Sequence, residues 1–119
     1  MPPVKIDVSE GLEALDQLLY IVNEAVPAAA QATLERAANE SIQIAQSVVP
    51  VKTGALRDSI RILEQGENYI VVGSDLGYAA HVEFGTSRMS ARPYIGPAAD
   101  AMNSRLSEIF AEELESRMP

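Results

Sequence analysis

His81 and Glu83 are the two side chains in this sequence that most resemble an acid–base or metal-binding pair. The chain has no second histidine and no cysteine. A metal site needs at least three convergent ligands, and two ligands on one helix usually stand three or four residues apart. At a separation of two residues, the side chains point apart on a helix and share a face only on a strand. A metal site is therefore not expected, and a small hydrolase using His81 and Glu83 is the least favoured functional alternative.

The other candidate groups for catalysis are no stronger. Carboxylates cluster at Glu112, Glu113 and Glu115, but the pattern places them on the solvated side of a terminal helix. The serines lack a G-x-S-x-G elbow, and neither G-x-G-x-x-G nor a Walker sequence is present. The sequence predicts a protein that is not an enzyme and that uses no cofactor.

The stretch HVEFGTSRMSARPYIGPA, His81–Ala98, combines aromatic residues, arginines, glycines and prolines. Tyr, Phe and Arg are enriched in the centres of protein interfaces. A loop braced by Pro93 and Pro97 loses less entropy on docking. We predict contact with a subunit or partner rather than catalysis, through Arg57, Arg61, Tyr78, Val82, Glu83, Phe84, Thr86, Arg88, Arg92, Pro93 and Tyr94. Gly54 and Gly85 are expected to serve backbone geometry.

Charge is distributed unevenly along the chain. The net charge of −8 divides into −5 for residues 1–50 (seven acids, two bases), 0 for residues 51–92 (five of each) and −3 for residues 93–119 (five acids, two bases). Acidic domains are repelled by phosphate backbones, so specific nucleic-acid binding is not expected. The neutral middle, with its four arginines, could meet the acidic helices of a second copy or of a partner.

Length and composition bound the fold class. With 119 residues, 47% of them hydrophobic, the chain is expected to form a single folded domain over residues 1–119. The first residues lack the basic flank and apolar core of a signal peptide. No apolar run approaches the ~20 residues that cross a bilayer. We expect a soluble protein with no membrane association.

The N-terminal half reads as one strand and two helices. VKIDV, Val4–Val8, alternates like a strand, and Asp7 or Ser9 can cap the helix that follows. That helix carries an apolar stripe of Leu12, Leu15, Leu18, Leu19 and Val22. Pro27 is expected to interrupt it and to begin a second, alanine-rich helix over Ala28–Val49.

The second half reads as a hairpin followed by helices. Leu56–Glu64 and Tyr69–Gly73 are predicted strands joined by the turn residues QGEN. Leu76–Phe84 fits a strand or a short helix, and a helix is favoured. An irregular loop over Gly85–Pro93 precedes a final helix over Pro97–Arg117. The predicted class is α+β, with a small, mostly antiparallel sheet (the N-terminal strand and the central hairpin) packed against long N- and C-terminal helices.

Three ordered blocks resemble a bacteriophage family. They read VPVKTGALRDSI (Val49–Ile60), YAAHVEFGT (Tyr78–Thr86) and RPYIGPA (Arg92–Ala98). They resemble the small neck and head–tail joining proteins of long-tailed phages, often labelled minor tail components. The matching positions are Thr53, Gly54, Leu56, Ser59, Tyr78, Ala79, Val82, Glu83, Gly85, Thr86, Pro93, Tyr94, Pro97 and Ala98.

The resemblance implies a structural protein of the virion, assembled in the host cytoplasm. It would form a homo-oligomeric ring in the neck, between head-completion or connector proteins and tail-terminator or tail-tube proteins. DNA would pass through the lumen, and the acidic helices would line or flank that channel. A tail-terminator ring that caps the tail tube is the nearest alternative. An acidic regulatory protein that binds a basic host or phage protein is an alternative of another class.

Overall fold

The computed structural model describes residues 2–49, 54–88 and 90–119. The fold is α+β, as the sequence predicts. Its elements in chain order are α1 (Ser9–Tyr20), a π-helical turn (Ile21–Ala25), α2 (Val26–Val48), α3 (Ala55–Ser59), β1 (Arg61–Gln65), β2 (Ile70–Gly73), α4 (Ala79–Phe84), α5 (Ile95–Asn103) and α6 (Leu106–Glu115).

The chain is much longer than it is wide, with principal extents of 92 × 21 × 20 Å. Its radius of gyration is 22.6 Å, whereas a compact domain of this length has about 13–14 Å. The difference comes from the N-terminal segment. We call residues 2–24 the arm, and the described residues from 25 to 119 the body.

Pro27 does not interrupt the long helix, contrary to the prediction. The helix runs from Ser9 to Val48, and the π-helical turn ends two residues before the proline. Val26 donates its N–H to the Ile21 carbonyl, five residues back. Pro27 lacks an N–H and would clash with the carbonyl four residues earlier in a regular α-helix. The wider turn accommodates the ring, so the helix continues through it.

Val4–Val8 does not form the predicted strand. Val4, Ile6 and Val8 are 67–89% exposed, and no described strand lies beside them. A strand needs a neighbour for its backbone N–H and C=O groups, and this segment has none in the described part of the chain. Asp7 accepts hydrogen bonds from the Ser9 N–H (2.8 Å) and hydroxyl (2.6 Å) at the start of α1.

The central hairpin is confirmed, with a shorter first strand than predicted. β1 and β2 are antiparallel, with Arg61 opposite Gly73 and Gln65 opposite Ile70, and an irregularity at Leu63. The predicted strand over Leu56–Glu64 is wrong in its first part, because Ala55–Ser59 forms α3. These strands form the whole sheet among the described residues.

The core lies where α2 meets α3, α4 and α5. Its buried cluster contains Ala45, Val49, Leu56, Ile60, Ala79, Tyr94 and Ala98. The alanine-rich face of α2 lets neighbouring elements approach closely, and Ala29 and Ala45 are fully buried. The predicted helix in Leu76–Phe84 is confirmed as α4. The single C-terminal helix is corrected to α5 and α6, which are separated at Ser104 and Arg105.

Arg36 links α2 to α6 electrostatically. Its Nη1 lies 2.8 Å from Glu112 and 3.4 Å from Glu113. Arg117 reaches Glu113 at 2.8 Å, and these two arginines lower the pKa of Glu113, chiefly through the Arg117 hydrogen bond. Glu40 of α2 likewise accepts from Arg105 at 2.8 Å. Glu112 and Glu113, two acids of the predicted solvated face of α6, are thus paired with arginines of the body.

Candidate contact surface

Glu83 joins the second and third sequence blocks. Its carboxylate accepts hydrogen bonds from the backbone N–H groups of Tyr94 (2.6 Å), Ile95 (3.2 Å) and Gly96 (2.7 Å). These amides open α5, and the first N–H groups of a helix have no partner within it. A carboxylate at this end also complements the helix dipole. Glu83 is therefore a helix cap supplied from a distant part of the chain.

This role separates Glu83 from His81. Both Glu83 oxygens are occupied by the amides of α5, whereas His81 is exposed on the last turn of α4. The two side chains stand two residues apart on a helix, a spacing that directs them to different sides. In the described part of the chain, no cluster of three or more His, Cys, Asp or Glu residues could hold a metal.

Tyr94, one of the contact residues that the sequence predicted, is buried in the core. It is 2% exposed, and its hydroxyl donates to the Ala79 carbonyl at 3.3 Å. Burial raises the pKa of this hydroxyl, and the negative charge of Glu83 adds to that effect. Since Tyr94 contacts α4 inside the chain, it cannot also meet a partner in this conformation.

Gly54 and Gly85 both have backbone angles that favour glycine. Gly54 precedes α3 with φ 79°, and its carbonyl accepts from Asp58 N–H at 2.9 Å. Gly85 follows α4 with φ 77° and ψ 176°, a region that is essentially restricted to glycine. Thr53, which also matches the family pattern, lies outside the described residues.

Phe84 dominates the exposed side of this region. Its side chain is 80% exposed, directly before the turn at Gly85. Tyr78, at the other end of α4, is also exposed, and Val82 between them is half-buried. Exposure of a phenyl group to water is unfavourable, because burying its apolar surface lowers the free energy. Among the predicted contact residues, Phe84 has the strongest physical reason to meet another molecule.

The loop after Gly85 presents the remaining predicted residues. Thr86 accepts from the Arg88 N–H at 3.2 Å, and the Arg92 N–H donates to the Val82 carbonyl at 2.8 Å. The side chains of Arg88 and Arg92 and the ring of Pro93 are exposed. Neither guanidinium is in an ion pair within the described part of the chain.

Arg57 and Arg61 differ from the loop arginines because each is paired locally. Arg57 lies 3.0 Å from Asp58, and Arg61 lies 2.7 Å from Asp75. Exposed pairs of this kind hold their partners weakly, so a neighbouring acid could still compete for them. The unpaired cationic surface in the described chain is nevertheless the loop, not α3 or β1.

The arm carries a second exposed apolar surface, which the sequence did not predict to be exposed. The apolar side chains of α1 and Val22 of the π-helical turn are about half exposed, and no residue of α1, which is described throughout, is buried. Sequence periodicity identifies the stripe correctly but cannot show what, if anything, covers it. The Glu83 cap was missed for a related reason, because its partners lie 11–13 residues away.

Two adjoining apolar depressions of about 400 and 380 Å³ lie along α2, between it, the hairpin and the C-terminal helices. Leu34 and Leu106 line both, so together they form one groove, which we call the α2 groove. None of the described residues that line it is charged. No helix in the described residues has the length and hydropathy needed to span a membrane.

The sequence matches the model of a phage family, "Bacteriophage HK97-gp10, putative tail-component", over residues 13–85. The chain belongs to this family of structural components of phage tails, which places the protein in the virion. The match begins within α1 and includes the π-helical turn, α2, α3, the hairpin and α4. It contains the first sequence block and all but the last residue of the second, and ends before the third. No curated protein and no solved structure matches the chain.

Proposed function

We propose that the protein is a structural component of the phage neck, where several copies form a ring that joins the head-completion complex to the tail. Family membership supports a tail-component role for the chain. The observation that carries the proposed assembly is its uncovered apolar surface, on the arm and at Phe84. A monomer seldom leaves a large contiguous apolar surface in water, and large surfaces of this kind mark contacts with other molecules.

The partner contact is proposed to centre on Phe84 and the loop that follows. Tyr78, Val82 and Thr86 would surround the phenyl group of Phe84. Arg88 and Arg92 would meet acids of a neighbouring connector or tail protein. Their unpaired guanidinium groups support this choice, since a partner's carboxylates need not displace an existing ion pair. Glu83, Pro93 and Tyr94 would support this surface from within the chain rather than contact the partner.

The lumen of the ring is proposed to admit DNA without binding it. The arm carries Glu10, Glu13, Asp16 and Glu24, none of which forms an ion pair with the described residues. Acids in that state would repel the phosphate backbone, whereas Glu112 and Glu113 are already paired with arginines. A ring structure with the acids of the arm entirely on its outer rim would contradict this part of the proposal.

Sedimentation of a lysate containing this protein and its neighbouring gene products tests the proposed role. We expect immunoblotting to find the chain in intact particles, at a few copies each. Recovery only as a free species or as a tight one-to-one complex, with complete particles lacking the chain, would favour the regulatory alternative instead.

Electron microscopy of particles made without the protein separates a neck ring from a tail terminator. Loss of a joining ring should give filled heads and tails of normal length that do not attach to each other. Loss of a terminator should instead give tails of irregular length, because nothing stops growth of the tube.

Phe84→Ala tests the contact surface. Because Phe84 is almost fully exposed, the variant should keep the melting temperature of the parent and lose most of its recovery in particles. Met118→Ala, at another exposed apolar side chain, serves as the matched control and should change neither quantity. If Phe84→Ala lowered the melting temperature as much as it lowered assembly, the phenyl group would instead stabilise the fold.

A further inference from the structure

The arm has one apolar face and one acidic face. Leu12, Leu15, Leu18, Leu19 and Val22 are each 49–59% exposed. They follow the spacing of one helical face, and Glu10, Glu13 and Glu24 fall on the opposite side. Covering the apolar face therefore leaves these three carboxylates in water, and Asp16 lies at the border of the face, between Leu12 and Leu19.

The α2 groove matches that face in length and chemistry. Its lining on α2 extends from Ala30 to Ser41, a distance of about 16 Å at the α-helical rise. The stripe from Leu12 to Val22 spans about 15 Å on the same measure. Both surfaces are free of charge, so the two could join without an unpaired ion between them.

We propose that the arm of one copy lies in the α2 groove of a second copy of this chain. An amphipathic helix that lays its apolar face into an apolar groove is a common mode of recognition. The contact covers two uncovered apolar features of the described chain with each other.

A second copy fits this site better than the chain's own arm. To reach its own groove, the arm would have to reverse direction beside α2. Tyr20, Ala25 and Val26 all have right-handed helical angles, and the sequence has no glycine between Gly11 and Gly54. A reversal between antiparallel helices needs a loop of about 2–5 residues, and the continuous helix provides none there.

The same contact has a consequence for symmetry. Each copy supplies one arm and one groove. Two copies could exchange arms about a twofold axis, but where each arm passes to the next copy the interface is heterologous. Heterologous contacts produce a ring when the rotation closes, and a filament when it does not. Only the closing of the subunits into a ring, rather than a filament, rests on the proposed neck role. The contact between arm and groove can be tested without any phage particle.

The absence of cysteine from the natural sequence permits a direct test with single-cysteine variants. Leu15→Cys on the apolar face of the arm and Ala99→Cys in the groove are co-expressed with tags of different size. The purified mixture is treated with a short bis-maleimide, and the products are separated by size. Two control pairs replace one partner: Glu13→Cys on the acidic face of the arm with Ala99→Cys, and Leu15→Cys with Ala111→Cys on the exposed side of α6.

The Leu15–Ala99 pair should give a crosslinked product with one chain of each kind, several-fold above both control pairs. Similar yields in all pairs, or no product, would overturn the proposal. A product only between two Leu15→Cys chains would show that arms pair with arms. A chain that carries both Leu15→Cys and Ala99→Cys is treated in parallel, and crosslinking only within that chain would overturn the proposal by showing that the arm folds back.

Solution mass provides the second measurement. The unmodified protein should have at least twice the 12.8 kDa mass of one chain, and Leu15→Asp with Leu19→Asp should return it to a single-chain mass. A monomeric parent protein would overturn the proposed contact. If that monomer still entered particles with its neighbours, the virion role would stand and only the inference about the arm would fail.

Discussion

The arm and the body both contain amphipathic helix, but only the body covers its apolar face. In α2, Ala29, Ala38 and Ala45 are buried, and Ala45 packs in one cluster with residues from the second half of the chain. In α1, leucines at the same kind of spacing remain about half exposed. The difference shows that periodicity creates an apolar face, whereas burial depends on whether another element lies beside it.

The two regions also differ in how their polar groups are satisfied. The body uses long-range contacts, such as Glu83 with the start of α5 and Arg36 with Glu112 of α6. The polar contacts found in the arm are local, between Asp7 and Ser9 and between Lys5 and Asp7. We therefore expect changes in the body to alter unfolding, and changes in the arm to alter association.

The largest effect is expected for Tyr94→Ala in the body. Removing a buried aromatic side chain leaves a cavity and costs about 3–5 kcal/mol of unfolding free energy. Tyr94→Phe keeps the ring and loses only the hydroxyl contact with Ala79, at a cost of about 1 kcal/mol. Urea unfolding of both variants measures the two costs. Equal and small losses would mean that Tyr94 does not hold α4 and α5 together.

Glu83→Ala is expected to cost about 2 kcal/mol, near the upper end for loss of a helix cap. The three amides at the start of α5 would lose their carboxylate acceptor. Glu115→Ala, an exposed carboxylate at the end of α6, provides the control and should change unfolding little. Urea unfolding compares them, and similar effects for the two variants would argue against a specific cap.

The pH dependence of unfolding should also distinguish the body from the arm, with an effect smaller than those of Tyr94→Ala and Glu83→Ala. Arg117 and Arg36 lower the pKa of Glu113 below its usual 4.5, so the folded state holds this proton less tightly than the unfolded state. Its stabilising contribution is therefore complete above about pH 4.5, and is lost as the pH falls through the lower pKa of the folded state.

Glu113→Gln should remove that part of the pH dependence, so that parent and variant converge in acid. Asp7 in the arm also has a lowered pKa, caused first by the Ser9 hydroxyl. Because Asp7 is exposed and its contacts with Ser9 and Lys5 lie within the arm, Asp7→Asn should leave the pH dependence of global unfolding unchanged. Thermal melts between pH 3 and 7 test both variants, and a reversed ranking would contradict the comparison.

Leu15→Ala should have the smallest effect on the folded monomer, within about 0.5 kcal/mol as for ordinary surface positions. Its effect on self-association should be much larger, because the proposed contact buries this side chain. Unfolding is measured at a concentration where the protein is dissociated, and association by sedimentation. A loss of monomer stability comparable to that of Tyr94→Ala would place Leu15 in a core.

The sequence predicted local features well where the signal lies within a few residues. The turn residues QGEN and the apolar runs beside them specified the hairpin, and the alanine-rich stretch specified α2. The boundary errors arose where short segments carried competing signals. Ala55–Ser59 forms a helix within a predicted strand, and Val4–Val8 alternates like a strand but has no neighbour to pair with.

The predicted contact residues divide according to contacts that no local pattern contains. Phe84 and Arg88 are exposed, as a contact surface requires. Tyr94 and Glu83 instead hold α4 and α5 together. Aromatic and charged residues have the same composition signature in both roles, so the sequence alone could not distinguish them.

By itself, the sequence determined the phage tail-component family, the α+β class and the amphipathic faces of the helices. These properties follow from motif order and from spacings that repeat every few residues. Only the tertiary structure decided that Glu83 caps α5, that Tyr94 is buried, and that the leucines of the arm remain uncovered. Each of these outcomes depends on which distant elements meet, and burial and charge pairing are properties of that meeting rather than of local spacing.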